Sequence, residues 1–293
     1  MFEGFRREFV ATAGADIHAV IGGDGPPVLL LHGFPQSHVM WHRIAPALAE
    51  RFTVVCADLR GYGDSAKPPG DPAHETYAKR AMAQDQVDLM AALGFDAFGL
   101  VGHDRGARVA HRLALDHPDR VERLALLDIV PTLTLFETVN RQVATLYYHW
   151  FFLIQPDGLP EHLIGLDPEG YLLHKLGAWS RNPDAFTDEA LALYLRTFRD
   201  PAAIHAMCED YRAAASIDLE HDRADRTARI ACPLLVLWGR HGAMERCYDV
   251  LATWREKADD VRGHALDCGH FLPEEAPDET LAALLPFLEA GAG

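Results

Sequence analysis

The chain is punctuated by short, unbroken apolar runs. They are Val28–Leu31, Thr53–Ala57, Phe98–Gly102, Leu124–Leu127 and Leu234–Trp238, with a weaker run at Val261–Leu266. A parallel strand covered by helices on both faces reads as a continuous apolar run rather than as alternation. Between the runs lie stretches with helical periodicity, such as Tyr77–Leu93 and Arg105–His117. Strand and helix in alternation predict an α/β fold with a mostly parallel sheet. From Leu133 to Ile217 the rhythm stops. That stretch is helical and rich in aromatics, with Pro156, Pro160, Pro168, Pro183 and Pro201 dividing it into short pieces and no strand-like run. The expected organisation is a core formed by residues 1–132 and 218–293. Residues 133–217 form a helical cap inserted after the strand that ends near Asp128, over the sheet edge where such folds bind ligands.

Composition narrows the class. Of 293 residues 49% are hydrophobic, enough for a large core. The net charge is −16 and no Lys/Arg run occurs, which argues against a nucleic-acid partner. No stretch is long and apolar enough to span a membrane, and the first residues are not followed by the apolar segment of a secretory signal. The five cysteines are scattered, odd in number and without a CxxC pair, the pattern of reduced thiols in a cytoplasmic protein.

The chemistry centres on Gly102-His103-Asp104-Arg105-Gly106, which follows a buried strand and opens a helix. This is the G-x-nucleophile-x-G elbow with Asp where an esterase carries Ser. A carboxylate can displace a leaving group from an sp³ carbon, forming an ester that water must then hydrolyse. The base for that second step is His270, in Asp267-Cys268-Gly269-His270-Phe271, after the last strand-like run. The acid expected to orient it is Asp128, at the end of the strand following the nucleophile, with Glu245, in the loop after Trp238, as the runner-up. The N–H groups of Phe34 and Arg105 are the expected oxyanion donors.

These residues resemble the fluoroacetate dehalogenases. The resemblance is carried by His32-Gly33-Phe34-Pro35-Gln36, Asp58-Leu59-Arg60-Gly61-Tyr62-Gly63-Asp64-Ser65, the segment Gly102–Arg108, Asp128-Ile129-Val130-Pro131-Thr132, His149-Trp150 and Cys208-Glu209-Asp210-Tyr211-Arg212. It extends over essentially the whole chain and implies an α/β-hydrolase core with a helical cap. Haloalkane dehalogenases and epoxide hydrolases share the elbow but usually carry Trp after the nucleophile, where this chain has Arg105. Arg108 lies one helical turn on, so two guanidiniums can face one carboxylate. The resemblance implies that Arg105 and Arg108 hold a haloacetate, that His149, Trp150 and Tyr211 take the departing halide, and that Phe34 and Trp179 form pocket walls. It implies a homodimer, and no metal or organic cofactor.

The expected reaction is therefore hydrolysis of a short haloacetate to glycolate and halide through an Asp104 ester. Alternatives are an epoxide hydrolase, with a cap tyrosine (Tyr147, Tyr148 or Tyr211) as acid, a dehalogenase that prefers chloroacetate, or a non-catalytic receptor on the same fold. His38 and His42 have helical spacing but no third metal ligand in sequence, so packing is their expected role.

Overall fold

A computed structural model describes residues 1–290. Eight strands form one sheet in the order β1-β2-β4-β3-β5-β6-β7-β8. The six apolar runs are its parallel members: β3 (Pro27–Leu31), β4 (Thr53–Ala57), β5 (Phe98–His103), β6 (Val121–Leu127), β7 (Leu234–Gly239) and β8 (Val261–Leu266). Two further strands, β1 (Arg6–Ala11) and β2 (Asp16–Gly22), form an antiparallel hairpin, with β2 antiparallel to β4. Continuous apolar runs do not reveal them. β1 is an edge strand with exposed charges, Arg6-Arg7-Glu8, which protect a sheet margin from pairing with another chain.

The central strands are buried along their whole length. One apolar layer packs Met82, Leu89, Leu113 and Trp254 against one face of the sheet. The other packs Trp41, Leu48, Leu284 and Phe287 against the opposite face. Truncating a central side chain such as Leu100, fully buried, to Ala would cost about 2–5 kcal/mol.

The chain order reverses around β3: β4 lies on one side and β5 on the other. The crevice beyond the carboxyl ends of β3 and β5 is thus the topological switch point, where open α/β sheets bind ligands. His32–Phe34 leaves β3 there, and Asp104 leaves β5. Between β6 and β7 the regular elements are all helical, running from Thr132–Glu137 to Ile217–Ala224. No helix among the described residues is long and apolar enough to cross a membrane, and all five cysteines are free.

Candidate active site

Asp104 sits at the first position of the helix Asp104–Asp116 with a positive φ of 46°. A non-glycine residue in that region is strained and persists only where its surroundings enforce it. Here the enforcement is close packing of the helix on β3. A Cβ on Gly106 would stand 2.3 Å from the His32 carbonyl oxygen and 2.4 Å from that of Leu31. The turn lifts the carboxylate off the sheet toward the crevice, where Phe34 N–H donates to Asp104 Oδ1 at 3.0 Å.

His270 faces the other oxygen, with Nε2 3.8 Å from Asp104 Oδ2 and no other protein partner. Its Nδ1 donates to Asp128 Oδ2 at 2.5 Å. Asp128 is itself fixed, because Gly239 N–H donates to its Oδ1 at 2.9 Å. Of the two candidate acids, Asp128 thus meets His270, while Glu245 accepts the Trp238 indole N–H instead. Burial alone would lower the His270 pKa. The hydrogen bond and charge of Asp128, with the charge of Asp104, outweigh it and hold the ring above its ordinary 6.5. Burial pushes the Asp104 carboxyl up, but His270, His103, Arg108 and Arg105 together bring it below its ordinary value.

A cavity of about 90 Å³ opens onto these groups. It is small beside the roughly 300–1,000 Å³ of pockets for drug-sized ligands. Asp104, Asp128, Tyr147, His149, Trp179 and His270 are on its wall, so the helical segment supplies part of it. Phe34 is fully buried and stacks on His149 at 6.1 Å between ring centroids. Arg105, Arg108, Trp150 and Tyr211 lie behind that wall, at most 3% exposed.

Both arginines are partly committed to protein partners. Arg105 donates from Nε and Nη2 to the Asp210 carboxylate at 2.9 and 2.7 Å. Arg108 donates from Nη1 to the Val130 carbonyl and the Thr132 hydroxyl, each at 3.0 Å. The Arg105 guanidinium stacks 4.2 Å from the Tyr211 ring centroid, and that of Arg108 4.4 Å from Trp150. Tyr211 in turn lies 5.5 Å from both Trp150 and His149. Within this cluster five buried polar atoms have no protein partner: Arg105 Nη1, Arg108 Nε, His149 Nδ1, Trp150 Nε1 and Tyr211 Oη. Burial and nearby cations hold the His149 pKa well below its ordinary value, so the ring is neutral and carries a single N–H.

Sequence reasoning missed three contributors. Asp210, fully buried, binds Arg105, Lys79 and the Tyr62 hydroxyl, and only the motif around Tyr211 hinted at it. His103, beside Asp104, donates from Nε2 to the His270 carbonyl at 2.7 Å and so ties down the loop that carries His270. Burial pushes its pKa down to about 3, so it stays neutral. Lys175 is fully buried, with Nζ 3.7 Å from the Tyr148 ring centroid and 5.1 Å from Trp179. Its burial pushes the pKa down to about 7.

Metal-type donors also converge away from this cavity. His18, His38 and Asp58 come together, with each ring Nδ1 2.9 Å from an Asp58 oxygen. His38 is therefore an Asp58 partner, while His42 Nδ1 donates to the Val39 carbonyl. Asp58 also accepts the backbone N–H groups of His38 and Asp64, which satisfies the buried carboxylate without a cation.

Comparison with known proteins agrees with this architecture. The family model described as "alpha/beta hydrolase fold" matches residues 26–277. A fluoroacetate dehalogenase from Burkholderia sp. is 50% identical over 98% of this chain and 95% of its own. A soluble epoxide hydrolase from Corynebacterium sp. (strain C12) is 37% identical over 94% of each. A crystal structure of a protein from Nostoc sp. PCC 7120 superposes with a TM-score of 0.98 at 61% identity, covering 98% of this chain and 99% of that one.

Proposed function

We propose a reaction for this chain from one premise: it belongs to the alpha/beta hydrolase fold family. The reading is hydrolysis of the carbon–halogen bond of a short haloacetate, fluoroacetate and water giving glycolate and fluoride. The observation that carries it is the set of unpartnered buried donors beside Asp104: Arg105 Nη1, Arg108 Nε, His149 Nδ1, Trp150 Nε1 and Tyr211 Oη. Buried donors without acceptors are costly, and donors arranged around two guanidiniums call for an anionic ligand. A haloacetate presents two such needs, its carboxylate and the halide that leaves.

In the first step a carboxylate oxygen of Asp104 attacks the halogen-bearing carbon in line. The carbon–oxygen bond forms as the carbon–halogen bond breaks, and the electron pair departs with the halide. Arg105 and Arg108 hold the substrate carboxylate. The imidazole N–H of His149, the indole N–H of Trp150 and the phenol of Tyr211 receive charge developing on the halogen. Fluoride is strongly hydrated, so these donors replace water that the closed cavity excludes. In the second step His270 Nε2 removes a proton from water attacking the ester carbonyl. Asp128 fixes the ring tautomer and stabilises the imidazolium. Phe34 N–H, already on Asp104 Oδ1, and the N–H of Arg105 stabilise the tetrahedral oxyanion. Collapse breaks the ester bond, the leaving alkoxide takes the proton from His270 to give glycolate, and Asp104 returns to its carboxylate by losing the hydroxyl proton to solvent. Trp179 and Phe34 limit the size of the acid.

We read the helical segment as a cap over the sheet's carboxyl edge, and the five free thiols as favouring a reducing cytoplasmic compartment. Leu159, Leu163, Leu166 and Leu173 are exposed on that segment and support a homodimer.

The test is fluoride and chloride release from fluoroacetate and chloroacetate, with Asp104→Ala as control. Treatment of His270→Asn with haloacetate followed by intact-mass spectrometry should show one added carboxymethyl group on Asp104. A substrate-binding but unmodified variant would refute the covalent route. Turnover of an epoxide without haloacetate turnover would favour the epoxide hydrolase reading, and binding without turnover of either would favour a receptor.

A further inference from the structure

The catalytic cavity shares Ala178, Trp179, His241 and Arg246 with a second, shallower depression of about 200 Å³. Ser180, Arg181 and Gly269 complete the rim of that depression. The shared wall makes it the vestibule of the cavity. Arg181 and Arg246 are both exposed. Neither has a carboxylate within ion-pair distance among the described residues, although the chain carries a net charge of −16. The rim's acids are already engaged. Asp267 accepts from His241 Nε2 at 2.7 Å. Glu275 accepts backbone N–H groups of Arg181, Gly269 and Phe271. Two exposed guanidiniums without an ion-pair partner therefore flank the entrance of a small cavity, with the still-charged Asp267 and Glu275 held by other groups nearby.

We propose that Arg181 and Arg246 form an electrostatic entrance that draws small carboxylate anions into the site and favours them over neutral molecules of the same size. The inference rests on the haloacetate reading for its substrate, but not for its geometry. A protein of this net charge repels anions at long range, and a local positive rim reverses the sign of the field where the anion must pass. The two arginines act on entry and not on chemistry, so their effect falls on kcat/KM and is removed by salt. The Debye length shrinks from about 30 Å at 0.01 M to about 3 Å at 1 M, so high salt screens the two exposed charges.

Two measurements test this separately. First, Arg181→Gln/Arg246→Gln should lower kcat/KM for haloacetate about tenfold at 0.01 M ionic strength with the deficit gone near 1 M, and Arg181→Gln alone, outside the catalytic cavity, should show a smaller loss of the same salt dependence with kcat retained. A loss that persists at high salt, or one confined to kcat, would overturn the proposal. Second, quenching of tryptophan fluorescence needs no turnover. Trp179 on the vestibule wall is half-buried, whereas Trp41, Trp150 and Trp254 are fully buried and Trp238 is 8% exposed. The double variant should lose quenching by iodide while keeping quenching by neutral acrylamide. Equal quenching by iodide in both proteins would refute the entrance. A wild-type protein that releases no halide but shows the iodide effect would refute the substrate and leave the entrance standing.

Discussion

Asp210→Asn tests the most consequential contact that the tertiary structure adds. The Asp210 carboxylate lies between Arg105 and Lys79, with the Tyr62 hydroxyl donating to it at 2.7 Å. Arg105 is fully buried, Lys79 is 3% exposed and Asp210 fully buried, so solvent screens none of these charges. Burial raises the Asp210 pKa and the two cations more than reverse this, holding the carboxyl far below the usual range. The asparagine keeps the shape but leaves buried Arg105 without an anion and Lys79 with only Asp218, 3.6 Å away. Breaking a buried ion pair by removing one partner costs about 3–5 kcal/mol. With an m-value of about 3 kcal/mol/M, the urea midpoint should fall by about 1–1.7 M. Adding Lys79→Met removes one stranded cation, so the double variant should be less destabilised than the sum of the singles by about 1–3 kcal/mol. The pH dependence has a definite sign. A depressed carboxyl contributes full stability above its unfolded value and loses it progressively as pH falls from there through its folded value, so the deficit should persist down to about pH 4 and shrink below it. A midpoint shift below about 0.3 M, or additive single effects, would refute the reasoning. Haloacetate kcat/KM should also fall, because Arg105 loses the bidentate contact that orients it.

Gly33→Ala would place a Cβ 2.4 Å from the Asp104 Cβ and 2.9 Å from the His103 carbonyl oxygen, so the nucleophile must move. Activity should drop about 100-fold with the far-ultraviolet circular dichroism unchanged, and activity within threefold of wild type would contradict the packing. His270 must be neutral to take a proton from water, and its pKa is raised above 6.5. Single-turnover hydrolysis of the ester should therefore rise with pH. The acidic limb should lie below that of the free enzyme, since the ester removes the Asp104 charge that raises the ring; a pH-independent rate would remove His270 as base. The His270–Asp128 pairing should stabilise the fold most below pH 6.5 and less as pH rises through the folded value, measurable by urea titration at several pH values. Lys175→Met should stabilise the protein by about 1–3 kcal/mol near pH 6. The lysine is buried with a pKa down at about 7, and its aromatic contacts recover only part of the desolvation. Because a depressed lysine is destabilising below its folded pKa and neutral in effect above its unfolded one, the gain should vanish by about pH 10.5, and a loss of stability near pH 6 would overturn the reading.

The local chemistry was legible along the chain. Five of eight strands announce themselves as apolar runs, because burial on both faces leaves few polar positions to interrupt them, while the edge strand β8 is half-exposed and carries Arg262 and His264. The elbow is legible because a strained, crowded turn demands glycines at fixed spacing around its nucleophile. The β1–β2 hairpin is not, since an edge strand may carry charges and its partner is chosen by the sheet. His270 could be picked out by position, and its meeting with Asp128 instead of Glu245 followed only when the β6 and β7 ends came together. The two arginines are three residues apart in sequence, but how much of each guanidinium remains for a ligand is set by Asp210, Val130 and Thr132, which no spacing rule connects to them. Local sequence determines which backbone conformations and reactive groups are available. Which buried donors find partners, and which are left for a ligand, depends on contacts between residues 105 to 167 positions apart, such as Arg105 with Asp210 and His103 with His270, and only the folded chain decides those.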